Sequence, residues 1–301
     1  MKKRQSLIVI SAAILLDSSQ VHFSQKVDVY NRPLQKERSR EYDAIHYRVK
    51  IRIDEDRKAF WGENTITLSP LKDGFQMCSL DAETFIISSV ESENSCPLDF
   101  QQTERKLKVY LPQSYNYGDS ISFTVFYIAE DLEAAKGRAP GINFVDKSPC
   151  NPPLIIARSF AAGAHHWFPC YDFPNDKVTH EIIATVPYEY KALSNGKLVS
   201  ITEDKEEGTK TFHWAQEQPN STYLTTLVAG PFEVLEDSLG SLPVNYWVWD
   251  KDAENAKRSF YRTPEIIELF NKEYGYDYPW AKYDLITVPG GGGAECTSAS
   301  V

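Results

Sequence analysis

The sequence has 301 residues, of which 42% are hydrophobic and 13% aromatic, so it can bury the core of one large or two smaller domains. Its formal net charge is −10, from 32 basic and 42 acidic residues, and no basic block follows the first four positions. This charge argues against nucleic acid and anionic membrane surfaces as partners.

The N-terminus has the pattern of a cleaved export signal. Residues 1–4 carry three basic side chains, and residues 7–16 form a short apolar run that ends at Asp17. The run is too short to span a bilayer, so residues 1–25 are predicted to be a signal peptide, with no stable membrane anchor after cleavage. A buried N-terminal helix is the alternative. The protein is therefore expected to be periplasmic or secreted, and the polar residues 26–40 are predicted to form an extended arm.

Residues 41–235 are predicted to form a mainly β domain. In residues 46–54 the apolar side chains of Tyr47, Val49, Ile51 and Ile53 alternate with polar ones, which is typical of a half-buried antiparallel strand. Further strands are predicted at residues 60–68, 85–90, 107–111, 121–128, 181–186, 211–214, 223–229 and 244–249. Polar turns separate them, so the pattern indicates an antiparallel β-sandwich or a curved sheet.

The pattern changes after residue 235. Residues 252–260 are compatible with a helix, and a second helix is predicted to begin with Thr263 as N-cap and Pro264 at its first position, and to end at Gly275. Its apolar face would carry Ile266, Ile267, Phe270 and Tyr274. An apolar strand at residues 285–288 follows. Strand, helix and strand in succession indicate an α/β domain that begins at residue 236 and is incomplete at residue 301.

Five cysteines without a repeating spacing indicate neither a disulfide framework nor a zinc ribbon. In an exported protein Cys78 could pair with Cys96, or Cys150 with Cys170, and the sequence does not choose between these pairings. At least one thiol is expected to stay unpaired within the chain.

The histidines do not have the spacing of a helical zinc-binding motif. No His-Glu-x-x-His occurs in the sequence. His165 and His166 are adjacent, and on a strand they would point to opposite faces, whereas on a loop they could share an ion. His46, His180 and His213 are predicted to be surface or cross-strand residues.

The most distinctive segment is a run of four glycines, residues 290–293, which follows the predicted strand 285–288 and precedes Glu295. Glycine lets backbone groups approach a ligand closely, and the carboxylate could hold a cation. The alternative is a flexible tail with Glu295 in solvent.

Two segments resemble the M1 family of zinc aminopeptidases. The sequence Gly292-Gly293-Ala294-Glu295-Cys296 is similar to the family's Gly-x-Met-Glu-Asn, and residues 169–174, Pro-Cys-Tyr-Asp-Phe-Pro, are similar to its Pro-Cys-x-Asp-x-Pro turn. The likeness spans about residues 41–301. It implies an N-terminal β domain followed by the start of a thermolysin-like catalytic domain.

The resemblance also implies roles for individual residues. Glu295 would bind the free α-amino group of a peptide substrate, and Gly292, Gly293 and Ala294 would lie along the substrate backbone. A second amine-binding glutamate or glutamine is usual in the family, and the turn aligns Phe160 with it. A register shift of one or two residues would place Ser159 or Ala161 there instead, and none of the three is acidic or an amide. Ala294 and Cys296 replace the family's methionine and asparagine, which makes the pocket wall smaller and removes one polar contact.

The function implied by the resemblance is zinc-dependent removal of N-terminal residues from peptides. The zinc ligands would come from a later segment, so residues 1–301 alone are expected to be inactive. Two alternatives stay open: a non-catalytic β-sandwich module that binds proteins or glycans, and a peptidase of altered specificity.

Overall fold

The computed structural model describes residues 38–130, 141–160, 162–289 and 299–300, and its regular structure is mainly β. The described strands, numbered β1 to β18, are Tyr42–Asp54, Ala59–Pro70, Phe75–Asp81, Ile86–Ser92, Phe100–Gln102, Lys106–Tyr115, Ile121–Ala129, Gly141–Val145, Leu154–Arg158, Val178–Pro187, Lys191–Ser194, Lys197–Asp204, Thr209–Asn220, Leu227–Gly230, Glu233–Leu239, Leu242–Val248, Tyr283–Ile286 and Ala299–Ser300. The helices α1 and α2 are Ala253–Phe260 and Thr263–Tyr274. Across this part of the chain, neither helix is long and apolar enough to cross a membrane.

The largest sheet has seven strands in the order β12-β13-β10-β1-β2-β7-β4. In β1 the side chains of Tyr47, Val49, Ile51 and Ile53 are buried, as their alternation predicts. Neighbouring strands in this sheet pair antiparallel, except that β1 and β10 are parallel, from His46 opposite Thr179 onwards. The prediction of a mainly β fold is therefore confirmed.

Two smaller sheets, β11-β14-β9-β8 and β3-β6-β5, share a hydrophobic core with the large one. The largest fully buried side chains include Trp167, Tyr47, Tyr127 and Phe60. Aromatic rings of this size dominate the apolar area removed from water. Burial of these rings therefore contributes to the stability of the three sheets that share this core.

The fourth sheet has the order β15-β16-β17-β18, and α1 and α2 pack on it. Val244, Tyr246, Val248, Ala256 and Ile267 form a second buried cluster there. The domain boundary at residue 236 falls within β15 and stays a prediction.

Helix α2 ends where it was predicted to end, but its N-cap and its buried face differ from the prediction. Gly275 follows it with a φ of 64° in the left-handed region, and its N–H bonds to the carbonyl of Asn271. Thr263 is already helical, so the cap lies one residue earlier than predicted, at Arg262. On the predicted apolar face only Ile267 is buried, while the other three side chains are exposed among the described residues.

Two other predictions are corrected. Residues 223–229 are not one strand, because Thr222–Leu224 form a 3-10 turn and β14 begins only at Leu227. The hydroxyl of Thr222 donates to Asp172 Oδ1 at 2.9 Å, and such a side-chain bond competes with strand pairing. His180 has the cross-strand position that was one of its two predicted placements, opposite Tyr47 and Gln216, and it is buried. Neither suggested disulfide is present, since Cys78, Cys96, Cys150 and Cys170 are free thiols.

Candidate functional site

Strand β17 leads the chain into the glycine run. It pairs parallel with β16, with Val244 opposite Tyr283 and Trp247 opposite Ile286. The predicted substrate-binding residues Gly292, Gly293, Ala294 and Glu295 lie outside the described residues, as does Cys296. Their roles therefore stay predictions, and the structure describes the elements that precede them.

A buried ion pair fixes the start of β17. Lys282 Nζ lies 2.6 Å from Asp284 Oδ2 and donates a second hydrogen bond of 2.9 Å to the carbonyl of Ser194 in β11. Lys282 is only 5% exposed and Asp284 1%. Burial lowers the pKa of Lys282 to about 8, and the charge of Asp284 opposes this shift.

Two further donors satisfy the Asp284 carboxylate. Asn245 Nδ2 donates to Oδ1 at 2.7 Å, and Trp247 Nε1 donates to Oδ2 at 3.2 Å, both from β16. Lys282 Nζ also lies 4.0 Å from the ring centroid of Trp214 in β13. The strand that carries the chain towards Glu295 is therefore tied to three neighbouring strands, β11, β13 and β16.

Phe160 lies just beyond the end of β9, and its side chain is 61% exposed. Its ring makes an edge contact with Tyr223, with 6.0 Å between centroids. The neighbouring Ser159 is buried and accepts a hydrogen bond of 2.9 Å from Trp167 Nε1. Ala161 lies outside the described residues. Of these three positions, Phe160 is the one whose side chain is described and reaches solvent.

Asp172, in the turn at residues 169–174, has a structural role. Its Oδ2 accepts the backbone N–H of His165 at 3.2 Å and contacts His165 Nδ1 at 2.6 Å. Cys170 exchanges backbone hydrogen bonds with Asp81, at 2.7 and 3.1 Å. The N–H of Tyr171 donates to the buried hydroxyl of Tyr47 at 3.0 Å. The turn is thus held by partners from β1, the end of β3 and its own flank.

Asp81 is a second buried carboxylate next to this turn. Arg38 Nη1 donates to its Oδ2 at 2.6 Å, Lys106 Nζ pairs with its Oδ1, and the N–H of Asp172 donates to Oδ2 at 3.0 Å. Burial alone would raise the pKa of Asp81, but these bonds outweigh it and hold the pKa below its usual value. Asp81 therefore stays ionised at neutral pH.

His165 and His166 do not lie on a strand, so the alternative in which they could share an ion applies. They lie in a 3-10 turn, Ala164–His166, where successive side chains differ by about 120° rather than 180°. The two ring centroids are 4.4 Å apart with a tilt of 34°. One ligand atom from each ring and one from Glu83 all lie within 4.8 Å of one another. Sequence reasoning missed Glu83, because no local pattern links it to residues 165–166.

The two histidines differ in their proton affinity. Burial lowers the pKa of His165, but the hydrogen bond to Asp172 and the charges of Asp172, Asp81 and Glu83 outweigh burial, so the net pKa is raised. The pKa of His166 is lowered, first by burial and then by the charge of His165. His166 is therefore neutral at pH 7.

The residues present do not fit the catalytic zinc ion that the resemblance implies. A peptidase zinc site needs two histidines one helical turn apart, a third ligand and a carboxylate base. The sequence contains no His-Glu-x-x-His, and neither α1 nor α2 contains a histidine. No catalytic step is therefore assigned to a metal ion within residues 1–301.

Comparison with known proteins gives a consistent match. The family model described as the Peptidase M1 N-terminal domain matches residues 43–224. Glutamyl aminopeptidase of Mus musculus is 28% identical over 270 residues, which are 81% of this chain and 27% of that protein. Aminopeptidase M1 of Arabidopsis thaliana is 33% identical over 138 residues, 45% of this chain and 15% of that protein.

Solved structures agree at the level of the fold. The M1 zinc metallopeptidase of Deinococcus radiodurans superposes with a TM-score of 0.73 at 21% identity, over 87% of this chain and 60% of that chain. Its E323A variant, bound to a Tyr-Ser-Ala substrate, gives a TM-score of 0.74. This chain thus spans less than two thirds of the length of these relatives.

Proposed function

This chain belongs to the M1 peptidase family through its N-terminal domain, and from that premise we propose that it is the N-terminal part of an exported, zinc-dependent aminopeptidase. The substrates would be peptides with a free α-amino group. The family match, which covers more than half of the chain, carries the aminopeptidase part of this proposal. The basic and apolar pattern of residues 1–16 supports the export part.

Glu295 is the residue that we assign to the substrate amine. Its support is the anchoring of β17: the buried pair of Lys282 and Asp284 fixes the strand that precedes Gly290–Gly293. A rigid strand followed by glycines can present backbone to an extended peptide, and the next carboxylate can pair with an ammonium group. A peptide without that ammonium group leaves the carboxylate unpaired and is rejected.

Phe160 modifies this assignment. Where the family usually has a carboxylate or amide, this chain offers an exposed aromatic ring packed against Tyr223. The amine would then be held by Glu295 alone. We therefore expect relaxed or shifted specificity compared with relatives that hold the amine with two acidic or amide side chains.

The test uses the full-length gene product loaded with zinc. We expect it to cleave free-amine aminoacyl p-nitroanilides and to lose this activity with a chelator. Glu295→Gln should lower kcat/KM by about 10- to 100-fold, the effect of removing one hydrogen bond to a charged group. Glu273→Gln, at an exposed position of α2, is the control and should leave the rate unchanged.

Three results would contradict parts of this proposal. A faster rate on N-acetylated than on free-amine peptides would refute the aminopeptidase assignment. Peptidase activity in the 301-residue chain alone would refute the inference that its zinc ligands lie elsewhere. Recovery of an N-terminus that still includes residues 1–25 from purified exported protein would refute the signal-peptide assignment.

A further inference from the structure

We propose that Glu83, His165 and His166 bind one divalent transition-metal ion of the zinc class. The ligands would be a Glu83 carboxylate oxygen and the Nε2 atoms of both histidines, with the remaining position open to water. This proposal uses only described residues of the N-terminal β region and does not depend on the peptidase function.

The candidate ligands lie close enough together to reach one ion after small movements of their side chains. One nitrogen of each imidazole ring and one Glu83 carboxylate oxygen lie within 4.8 Å of one another. Around a tetrahedral zinc ion with bonds of about 2.0–2.1 Å, ligand atoms lie about 3.3 Å apart. The site must therefore contract by about 1.5 Å at most, which rotations of the Glu83 side chain and the imidazole rings can supply.

Each histidine already has a partner that orients it for metal binding. Asp172 Oδ2 lies 2.6 Å from His165 Nδ1, and the hydroxyl of Thr84 lies 2.6 Å from His166 Nδ1. When Nδ1–H donates to these oxygens, each Nε2 is left with a lone pair for an ion. In protein zinc sites, a ligating histidine usually donates its other ring N–H to a carboxylate or a carbonyl, which fixes the orientation of the ring.

The backbone holds the two contributing segments together. The N–H of Glu83 donates a hydrogen bond of 3.0 Å to the carbonyl of His165. Two residues before Glu83, Asp81 forms an antiparallel β-bridge with Cys170, so the same two segments are joined twice. Thr84 has a φ of 75°, which is rare for a β-branched residue and which the surrounding contacts must maintain. The ligands are thus brought together by fixed backbone rather than by flexible loops.

Glycine is needed where β8 passes the cluster. A Cβ at Gly141 would lie 2.9 Å from the Cβ of His166 and 3.0 Å from its carbonyl oxygen, and the φ of Gly141 is 84°. A larger residue would therefore displace His166. This close approach restricts the position of the second histidine.

The competing explanation is a network of ordinary ion pairs. His165 Nε2 lies 3.5 Å from Glu83 Oε2, and Arg105 Nε lies 3.9 Å from the same oxygen. Both distances exceed a good hydrogen bond, and the Arg105 side chain is 77% exposed, so this pair contributes little. Two imidazoles and one carboxylate match zinc, cobalt, nickel and copper, whereas magnesium and calcium prefer all-oxygen sites.

The test is a titration of the metal-free 301-residue chain with Zn²⁺, followed by calorimetry, and with Co²⁺, followed by its visible spectrum. We expect one ion per chain and no comparable binding of Mg²⁺. Glu83→Gln and His166→Gln should each weaken zinc binding by about 10-fold or more. Thr84→Val, which keeps all three ligands, should weaken it by about 10-fold because it releases the ring of His166.

Two further variants separate metal binding from general effects on the fold. Arg105→Gln removes a guanidinium group whose Nε lies 3.9 Å from Glu83 Oε2, and it should tighten zinc binding, an effect that a damaged fold would not produce. His213→Gln removes a histidine that contacts Glu181 on another face, and it should bind zinc as the unmodified chain does. Thermal unfolding in the presence of a chelator checks that the apo variants are folded.

The outcomes that overturn the proposal are specific. The first is that the unmodified chain shows no saturable zinc binding. The second is that Glu83→Gln or His166→Gln binds zinc as tightly as the unmodified chain does. The third is that Mg²⁺ binds as tightly as Zn²⁺. A loss of zinc binding in His213→Gln equal to that in His166→Gln would also overturn it.

Discussion

The replacement Lys282→Met tests whether the buried ion pair holds β17 in place. Methionine keeps most of the length of lysine but removes the ammonium group, so the carboxylate of Asp284, 1% exposed, loses its charged partner. Removing one partner of a buried pair typically costs 3–5 kcal/mol because a charge is left uncompensated. The lost contact of Lys282 with the Trp214 ring adds to this cost.

The contacts that remain set the expected magnitude. Asn245 and Trp247 still donate to the Asp284 carboxylate, which reduces the penalty of leaving it without the ammonium group. We therefore expect a loss of about 3 kcal/mol, at the lower end of that range. Domains of ordinary size are stable by about 5–15 kcal/mol, so a loss of this size is readily measured.

The assay is urea denaturation, with the free energy of unfolding compared between variants at constant m-value. Lys257→Met is the matched control, because its pair with Glu254 has side chains that are 57% and 75% exposed, and it should cost less than about 0.5 kcal/mol. The double variant Lys282→Met/Asp284→Asn should recover part of the loss, since no buried charge is left unpaired. Additive effects of the two single replacements would refute this reasoning.

Three other replacements or conditions have defined outcomes. Burial and the charge of His46 lower the pKa of His180 to about 3 in the folded protein, compared with about 6.5 in the unfolded chain. Between these values the unfolded state binds more protons than the folded state does. The free energy of unfolding should therefore fall by about 2 kcal/mol when the pH is lowered from 7 to 5. Urea midpoints should show a smaller fall in His180→Gln. Gly196→Ala should cost at least about 2 kcal/mol in the same assay, because φ is 79° and the new Cβ would lie 1.9 Å from the carbonyl oxygen of Ala215. Tyr47→Phe should cost about 1–3 kcal/mol, because the backbone N–H of Tyr171 loses the Tyr47 hydroxyl, its buried acceptor.

The replacements Gly196→Ala and Tyr47→Phe each have a control within the chain. Gly208→Ala has a φ of 65° but open space around its Cβ, so it should cost about 1–2 kcal/mol from backbone strain alone. Tyr188→Phe removes an exposed hydroxyl bonded to Glu203 and should change stability by less than about 0.5 kcal/mol. An unchanged pH slope in His180→Gln, or equal losses within either control pair, would contradict the corresponding argument.

The parts of the fold that local patterns determine were predictable. The alternation in β1 gives its buried face correctly, and Gly275 marks the end of α2, because both depend on neighbouring residues alone. Strand β12 was missed because all its side chains are exposed and no alternation marks it. Strand β9 was missed because it is a short apolar run buried on both faces, which periodicity does not distinguish.

The candidate sites depended on contacts that are distant in sequence. Lys282 and Asp284 look like solvent-exposed charges beside an apolar strand, and only β11 and β16 bring the partners that make their burial possible. Glu83 lies next to His165 because Asp81, at the end of β3, exchanges backbone hydrogen bonds with Cys170 in the 169–174 turn. Such arrangements require the tertiary fold, whereas the glycine run and Glu295 could be recognised from the resemblance of a local motif.

The parallel pairing of β1 with β10 can form only late in synthesis, because β10 follows β1 at a large distance in the sequence. His46 pairs with Thr179, 133 residues later (179 − 46 = 133). At about 5–20 residues per second, a ribosome takes roughly 7 to 27 s to cover that distance. During this interval β1 can pair with β2 on one side, but its other edge has no native partner, and open edges recruit other chains. Folding of the nascent protein is therefore expected to need protection of this edge until β10 has emerged.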